Sequence, residues 1–291
     1  MKSLIRWGAT LGLLGSTVLG AAIIGNQQVV ALPQEQILQK LRGVPVFTIA
    51  DAQGALLVAT PANNQQNANN QQNRTSVVGV FISQQDAQAF LEKLKTENAQ
   101  AVQSMQVVPV SLAQVYQLAQ ENKDKPERLV IDFLPVQQQV DAAVALQRQA
   151  GGGGQTPQLY RQGDVPLFYA PNLTMRFERN NQQITAVPLF FEREELQKMV
   201  DDYKRQNPNS NVTIEIEVGS LEGLLQNLQT SNDPQLNQIV LVPPRSSVEF
   251  VRNFQQTQPA SPQLRPNQPA NQPQNQPQQR QNQPQQPQNR R

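Results

Sequence analysis

The sequence predicts an α+β fold made of two pseudo-symmetric lobes, each a β-sheet with helices on it. Three observations predict it. Short apolar runs alternate with amphipathic stretches of helical period along residues 32–257. Several sequence blocks occur twice in that region, in the same order. Polar, low-complexity segments then set off the region that can build a core from those that cannot.

The duplicated blocks lie at nearly constant spacing. Gly79-Val80-Phe81-Ile82-Ser83 aligns with Pro188-Leu189-Phe190-Phe191-Glu192, and Ser111-Leu112 with Ser220-Leu221, both at an offset of 109. Leu134-Pro135 matches Val242-Pro243 at 108. Upstream, Val44-Pro45-Val46-Phe47 matches Val165-Pro166-Leu167-Phe168 at 121, and the extra 12 is the length of the Asn/Gln-rich stretch Ala62–Asn73. A polar loop inserted between two strands of the first half explains the difference. The expected organisation is a first repeat lobe over 32–150 with its loop at 62–73, a Gly-rich linker over 151–163, and a second lobe over 164–257. Gly151–Gly154 serves as a flexible joint, and it lacks the Lys-Ser/Thr of a phosphate-binding loop.

Each element has a local reason. Gln34–Leu41 places Ile37, Leu38 and Leu41 on one helical side. Val44–Ile49, Gly54–Ala59 and Val77–Ile82 read as strands, the first two joined by an Asp51-Ala52-Gln53-Gly54 turn. Ser83, with Asp86 three residues on, is an N-terminal capping pattern. It opens a helix whose face is Ala87, Phe90, Leu91 and Leu94. The second half repeats that face as Leu196, Met199, Val200 and Tyr203. Met105–Val110 and Asn211–Val218 are expected strands, the second alternating Val212, Ile214, Ile216 and Val218 inward. Ser111 and Ser220 each cap a short helix. Leu129–Leu134 and Gln238–Val242 are strands stopped by proline, and helices over Val136–Gln149 and Ser246–Phe254 close the two halves.

The ends differ from this body. Lys2 and Arg6 precede an apolar run from Leu11 to Ile24, and Val29-Val30-Ala31 forms a small-residue cleavage site, so residues 1–31 read as an export signal peptide. An uncleaved anchor helix over Trp7–Ile24 is the alternative. Either places the body outside the cytoplasm. Residues 258–291 carry 13 Gln and 8 Pro with one large apolar residue, Leu264, and are expected to stay disordered. They form a solvated spacer, or a basic tail that touches anionic lipid or peptidoglycan. The basic ends contribute +2 and +4 to a net charge of +2, leaving −4 on residues 32–257. A mildly acidic body argues against nucleic-acid binding.

Composition also narrows the chemistry. The chain has no Cys and no His, which removes thiol nucleophiles, zinc–thiolate sites and the usual general base. No cofactor or metal is expected. The acidic group Glu192, Glu194, Glu195, Asp201 and Asp202 is explained by a helix start and solvated i,i+4 pairing. Glu215 and Glu217 lie two apart on a strand, as the carboxylates of a hydrolase would, but the other half shows no partner pair.

The segments GVPVFTIADAQGALLVA, VVGVFISQQDAQAFLEKLK, VVPVSLAQVYQL and NQIVLVPP resemble the cyanobacterial branch of the Tic twenty-two-kilodalton family, relatives of a chloroplast inner-envelope import component. The resemblance runs from about Gln34 to Phe254. It implies a two-lobed α+β fold with apolar pockets or grooves, a periplasmic or thylakoid-lumen address, and no catalytic motif. It also implies a chaperone-like escort role for unfolded precursors, including outer-membrane β-barrel proteins or their assembly machinery, with at most peripheral membrane contact. The alternative is a structural adaptor that docks folded partners of an envelope translocon.

The candidate client-binding residues are apolar. Val46, Phe47, Phe81 and Ile82 in one half correspond to Leu167, Phe168, Phe190 and Phe191 in the other. Adjacent strand residues point to opposite faces. If one sheet face lacks a full cover it forms an apolar groove for extended segments; if both are covered, all eight are ordinary core.

Overall fold

The computed structural model describes residues 32–59, 75–125, 128–150, 160–179 and 182–257. Residues 1–31, expected as a signal peptide, the Asn/Gln-rich stretch 62–73, the tetraglycine and residues 258–291 lie outside the described residues. The fold is mixed α+β with two sheets.

Helix α1 (Gln34–Leu41) leads into β1 (Pro45–Ala50). The Asp51 carboxylate then accepts from the Gln53 and Ala55 N–H groups at 2.9 and 2.8 Å, and Gly54 takes φ 83°, which favours glycine. This turn reverses the chain so tightly that the strand expected over Gly54–Ala59 is reduced to two isolated bridges, Ala50 to Leu56 and Ala59 to Val77. Next come β2 (Thr75–Phe81), α2 (Gln84–Glu97), α3 (Ala99–Val102), β3 (Gln106–Ser111), α4 (Leu112–Asn122), β4 (Arg128–Leu134) and α5 (Gln137–Ala150). The second half contains β5 (Pro166–Tyr169), β6 (Met175–Arg179), β7 (Gln182–Phe190), α6 (Arg193–Gln206), β8 (Glu217–Ser220), α7 (Leu221–Thr230), a 3-10 turn (Pro234–Gln238), β9 (Ile239–Val242) and α8 (Arg245–Thr257).

The first sheet has the order β3-β1-β2-β4, with β4 parallel to β2 and the other pairs antiparallel. In the second, β8, β5, β7 and β9 follow the same order and directions, and β6 adds a hairpin to β7. The registers correspond as well. Phe47 lies opposite Phe81 and Phe168 opposite Phe190; Pro45 pairs with Ser111 and Pro166 with Ser220. The β6 hairpin is absent from the sequence reading, although Met175 and Phe177 alternate with Arg176 and Glu178. The strand expected over Asn211–Val218 begins only at Glu217. Its partner β5 ends at Tyr169, so the residues before Glu217 have no ladder to join, and Val212 is 48% exposed.

Capping sets where the helices start. Ser111 accepts from the Gln114 N–H at 3.2 Å while Gln114 accepts from the Ser111 N–H at 2.9 Å. Ser220 accepts from Gly223 N–H at 3.1 Å, and Ser83 from Asp86 N–H at 3.2 Å. Ser111→Ala removes the hydroxyl that accepts from the Gln114 N–H while leaving the backbone N–H that donates to the Gln114 side chain, and is expected to cost about 1 kcal/mol in urea unfolding. An unchanged midpoint would show that the hydroxyl contributes nothing.

Packing departs from a picture of two self-contained lobes. A central core takes the inner residues of both sheets, among them Val46, Ile82, Leu167 and Phe191, together with α1, α4 and α7. Lys40 of α1 donates to the Asn237 and Ile239 carbonyls of the other half, at 3.0 and 3.3 Å. The outer faces are closed by exchange. Helix α5, which ends the first half in sequence, packs on β5 and β8 of the second sheet; α8, which ends the second half, packs on β1 of the first. Phe47 and Phe81 are thus sealed with α2 and Phe250 of α8, and Phe168 and Phe190 with α6 and Ala143 of α5.

Candidate functional site

All eight candidate client-binding residues are buried. Val46, Phe47, Phe81, Ile82, Leu167, Phe168, Phe190 and Phe191 are each at most 6% exposed. Alternation divides them as strand geometry requires: Val46, Ile82, Leu167 and Phe191 face the central core, and Phe47, Phe81, Phe168 and Phe190 face outward beneath helices. The open second face considered from sequence is not present, because α5 and α8 supply the missing covers. The structure brings these residues together as core, two phenylalanine pairs in register, and leaves none of them lining a surface.

Among the described residues, two clefts with partly apolar linings open elsewhere. One, of about 250 Å³, opens beside the second sheet between Tyr169, Thr174, Val187, Leu189, Leu236 and Ile239. The other, of about 230 Å³, runs between the β1–β3 end of the first sheet and α8, lined by Gly43, Pro45, Pro109, Val248, Val251 and Phe254. Small-molecule sites generally start near ~300 Å³. Each cleft is therefore scaled to one or two side chains of a polypeptide. Sequence reasoning missed both, since each is assembled from elements distant in the chain. The signal that was available is α8 itself, whose Val248, Val251 and Phe254 recur at helical spacing.

Beside the second cleft, α8 lies on the first sheet with Phe250 edge-on to Phe47, ring centroids 5.5 Å apart, and against Phe254 at 5.9 Å. Ser247 is buried and donates to the Ile82 carbonyl at 3.2 Å. The start of α8 is held from the second half, where the Glu192 carboxylate accepts from the Arg245 backbone N–H. Burial raises the Glu192 pKa above its ordinary value.

Several polar groups of the interior are matched to partners, while Asp164 Oδ2 and Arg193 Nε are buried without a hydrogen-bond partner. Gln139 of α5 is buried; its amide donates to Glu194 at 2.8 Å and accepts from the Arg193 N–H at 3.0 Å, which clamps α5 to the start of α6. Glu194 also accepts from Gln138, Glu195 pairs with Lys198, and Asp202 pairs with Arg205. The acidic group is thereby accounted for. Glu217 accepts from the Tyr169 hydroxyl at 2.9 Å; burial raises the pKa of both. Glu215 is exposed and precedes β8, and its charge adds to the rise at Glu217. Glu222, which reads from sequence as an ordinary acid at a helix start, accepts from Val165 N–H with both oxygens at 3.2 and 3.0 Å. Burial, aided by the nearby Asp164 charge, raises its pKa to about 7. Tyr160, placed by sequence in the linker, is fully buried and donates to the Asp164 carbonyl at 3.1 Å. Among the described residues, no three His, Cys, Asp or Glu side chains converge to hold a metal ion, and no helix is long and apolar enough to cross a membrane.

Comparison with known proteins gives consistent matches. The model of the Tic22-like family matches residues 1–253. The chain is 25% identical over 214 residues to Protein TIC 22, chloroplastic, of Pisum sativum, covering 73% of this chain and 74% of that protein. It is 25% identical over 213 residues to the Arabidopsis thaliana protein of the same name, covering 72% and 68%. Among solved structures it is similar to Anabaena Tic22, a protein described by protein transport, with TM-score 0.62 and 33% identity over 76% of this chain and 97% of that one. Tic22 from Plasmodium falciparum matches with TM-score 0.57 and 18% identity over 76% and 98%, a likeness of fold.

Proposed function

Because the chain belongs to the Tic22-like family, we propose that it is an exported, non-enzymatic escort that holds unfolded precursors during protein translocation and outer-membrane protein biogenesis. Protein transport is the family's field of work. The finer reading rests on one observation: among the described residues, two side-chain-sized clefts with partly apolar linings open against the sheets, one against each. Such clefts suit a client that offers scattered apolar side chains along an extended chain, bound by many weak contacts. Each client then needs several such contacts, and release needs no nucleotide. The likeness of strand order and register between the sheets supports reading them as two copies of one unit, although the two clefts lie at different places on them. The basic n-region and the Val29-Val30-Ala31 site support export to the periplasm or thylakoid lumen.

The test fills the clefts without touching the core. A side chain added at Gly43 meets no heavy atom within 4 Å, and Thr174 is exposed at the edge of the other cleft. Wild-type protein at equimolar ratio is expected to keep a urea-diluted outer-membrane β-barrel protein soluble. The Gly43→Trp/Thr174→Trp double variant, folded by circular dichroism, should need roughly tenfold more protein for the same effect, about 1.4 kcal/mol of binding. A double variant as effective as wild type would overturn the clefts as the binding surface. A wild type that leaves the client to aggregate would overturn the escort reading and direct attention to docking of folded translocon partners.

A further inference from the structure

Helix α8 is joined to the rest of the fold differently from the other helices. Pro243 and Pro244 separate it from β9, and neither carries a backbone N–H to anchor the joint. Over residues 245–255 only Ser247 is buried, whereas α7 buries Leu221, Leu224, Leu225 and Leu228. The helix is strongly amphipathic. Ser247, Phe250, Val251 and Phe254 fall at i, i+3, i+4 and i+7 on the inward side, and Glu249 and Arg252 are exposed. Beneath it lies a floor of large apolar side chains, Phe47, Ile49 and Phe81, which α2 covers only in part.

We propose that α8 occupies, in cis, a helix-binding groove on the outer face of the first sheet, and that a partner's amphipathic helix with aromatic and β-branched residues at i, i+3, i+4 and i+7 takes its place. The resident helix defines the chemistry of the occupant, because the groove is already complementary to that pattern. Exchanging one such helix for another keeps Phe47 and Phe81 covered, so displacement avoids the cost of exposing them to water. Polar contacts that hold the resident include the Ser247 hydroxyl to the Ile82 carbonyl, and the Glu192 carboxylate to the Arg245 N–H. The resident helix is tethered in cis and so competes as an intramolecular ligand, which an incoming helix must outbind. This inference deepens the escort reading and rests on it: it adds a helical class of client to the extended one.

The experiment uses the full chain and a fluorescein-labelled synthetic peptide of residues 245–257 as the probe. Wild-type protein is expected to bind the peptide weakly in fluorescence anisotropy. Phe250→Ala/Phe254→Ala weakens the resident while leaving the groove intact, and should bind at least tenfold more tightly. A peptide carrying the same two alanines should not bind either chain. Hydrogen exchange on wild type is read in parallel and does not depend on the variant folding: the amides of α8 should exchange faster than those of α7, and faster still with excess unlabelled peptide. Absence of peptide binding to both chains, or α8 amides as slow as those of α7, overturns the inference. A chain that keeps the β-barrel client soluble yet ignores the peptide overturns the inference alone; one that takes the peptide while the client aggregates overturns the escort reading alone.

Discussion

Phe47→Asp and Phe168→Asp are each expected to yield protein that does not fold, seen as a lost circular-dichroism signature and accumulation in the insoluble fraction. Both side chains are 0% exposed. Truncating a buried phenylalanine costs about 3–5 kcal/mol, and an unpaired buried carboxylate adds several more. That exceeds much of the 5–15 kcal/mol by which a typical domain is stable. Phe168→Leu, which keeps the site apolar, should fold with a modest loss. A soluble, cooperatively unfolding Phe168→Asp would mean that the outer face of the second sheet opens to water, against the packing of α5 and α6 over it. It also follows that lost client binding in either Asp variant says nothing about a binding surface, which is why the plugging substitutions at Gly43 and Thr174 are the informative ones.

The second large effect is a pH dependence carried by Glu222. Its folded pKa is raised from 4.5 to about 7, mainly by burial and next by the Asp164 charge. Below pH 4.5 the folded and unfolded chains both hold this proton. Between there and pH 7 the folded state holds more of it, so stability falls as pH rises through this window and levels off above it. At 1.36 kcal/mol per unit the loss is about 3 kcal/mol, or about 10 °C in Tm for a protein of this size. Glu222→Gln keeps an acceptor for the Val165 N–H and removes the buried charge. The variant should therefore match wild type near pH 4.5, exceed it by about 3 kcal/mol at pH 8, and show a flatter profile in urea titrations. Parallel profiles for the two proteins would remove Glu222 as the source.

Much of the fold was legible because its determinants are local. Ser83, Ser111 and Ser220 mark helix starts through hydroxyls that reach only three residues onward, and Pro135 and Pro243 follow the strands they end. The paired spacing of the Val44 and Val165 blocks marks corresponding strands, β1 and β5. Four features were not legible, each for a non-local reason. The length of β8 depends on where β5 ends, which the alternation of Val212 to Val218 does not report. The apolar faces of α5 and α8 announce that they need a partner but not which sheet provides it. Phe47, Phe81, Phe168 and Phe190 have the same pattern whether they line a groove or fill a core, and only the positions of those two helices decide between them. Gln139 and Glu222 are ordinary surface residue types in sequence, and their importance comes from burial against another element.

The exchange of α5 and α8 orders the steps by which the chain can finish folding as it is made. A nascent chain released to about residue 150 contains every strand of the first sheet, yet the helix that completes that sheet's outer face is still a hundred residues from being synthesised. Helix α5, already present, waits for a second sheet that does not yet exist. Neither half closes first: the last thirteen residues of the described fold complete the sheet that was begun earliest. Until they arrive, the aromatic floor around Phe47 is open. Synthesis thus passes through an intermediate that is itself a protein with exposed apolar surface, and a cut placed between the halves separates each sheet from its own lid.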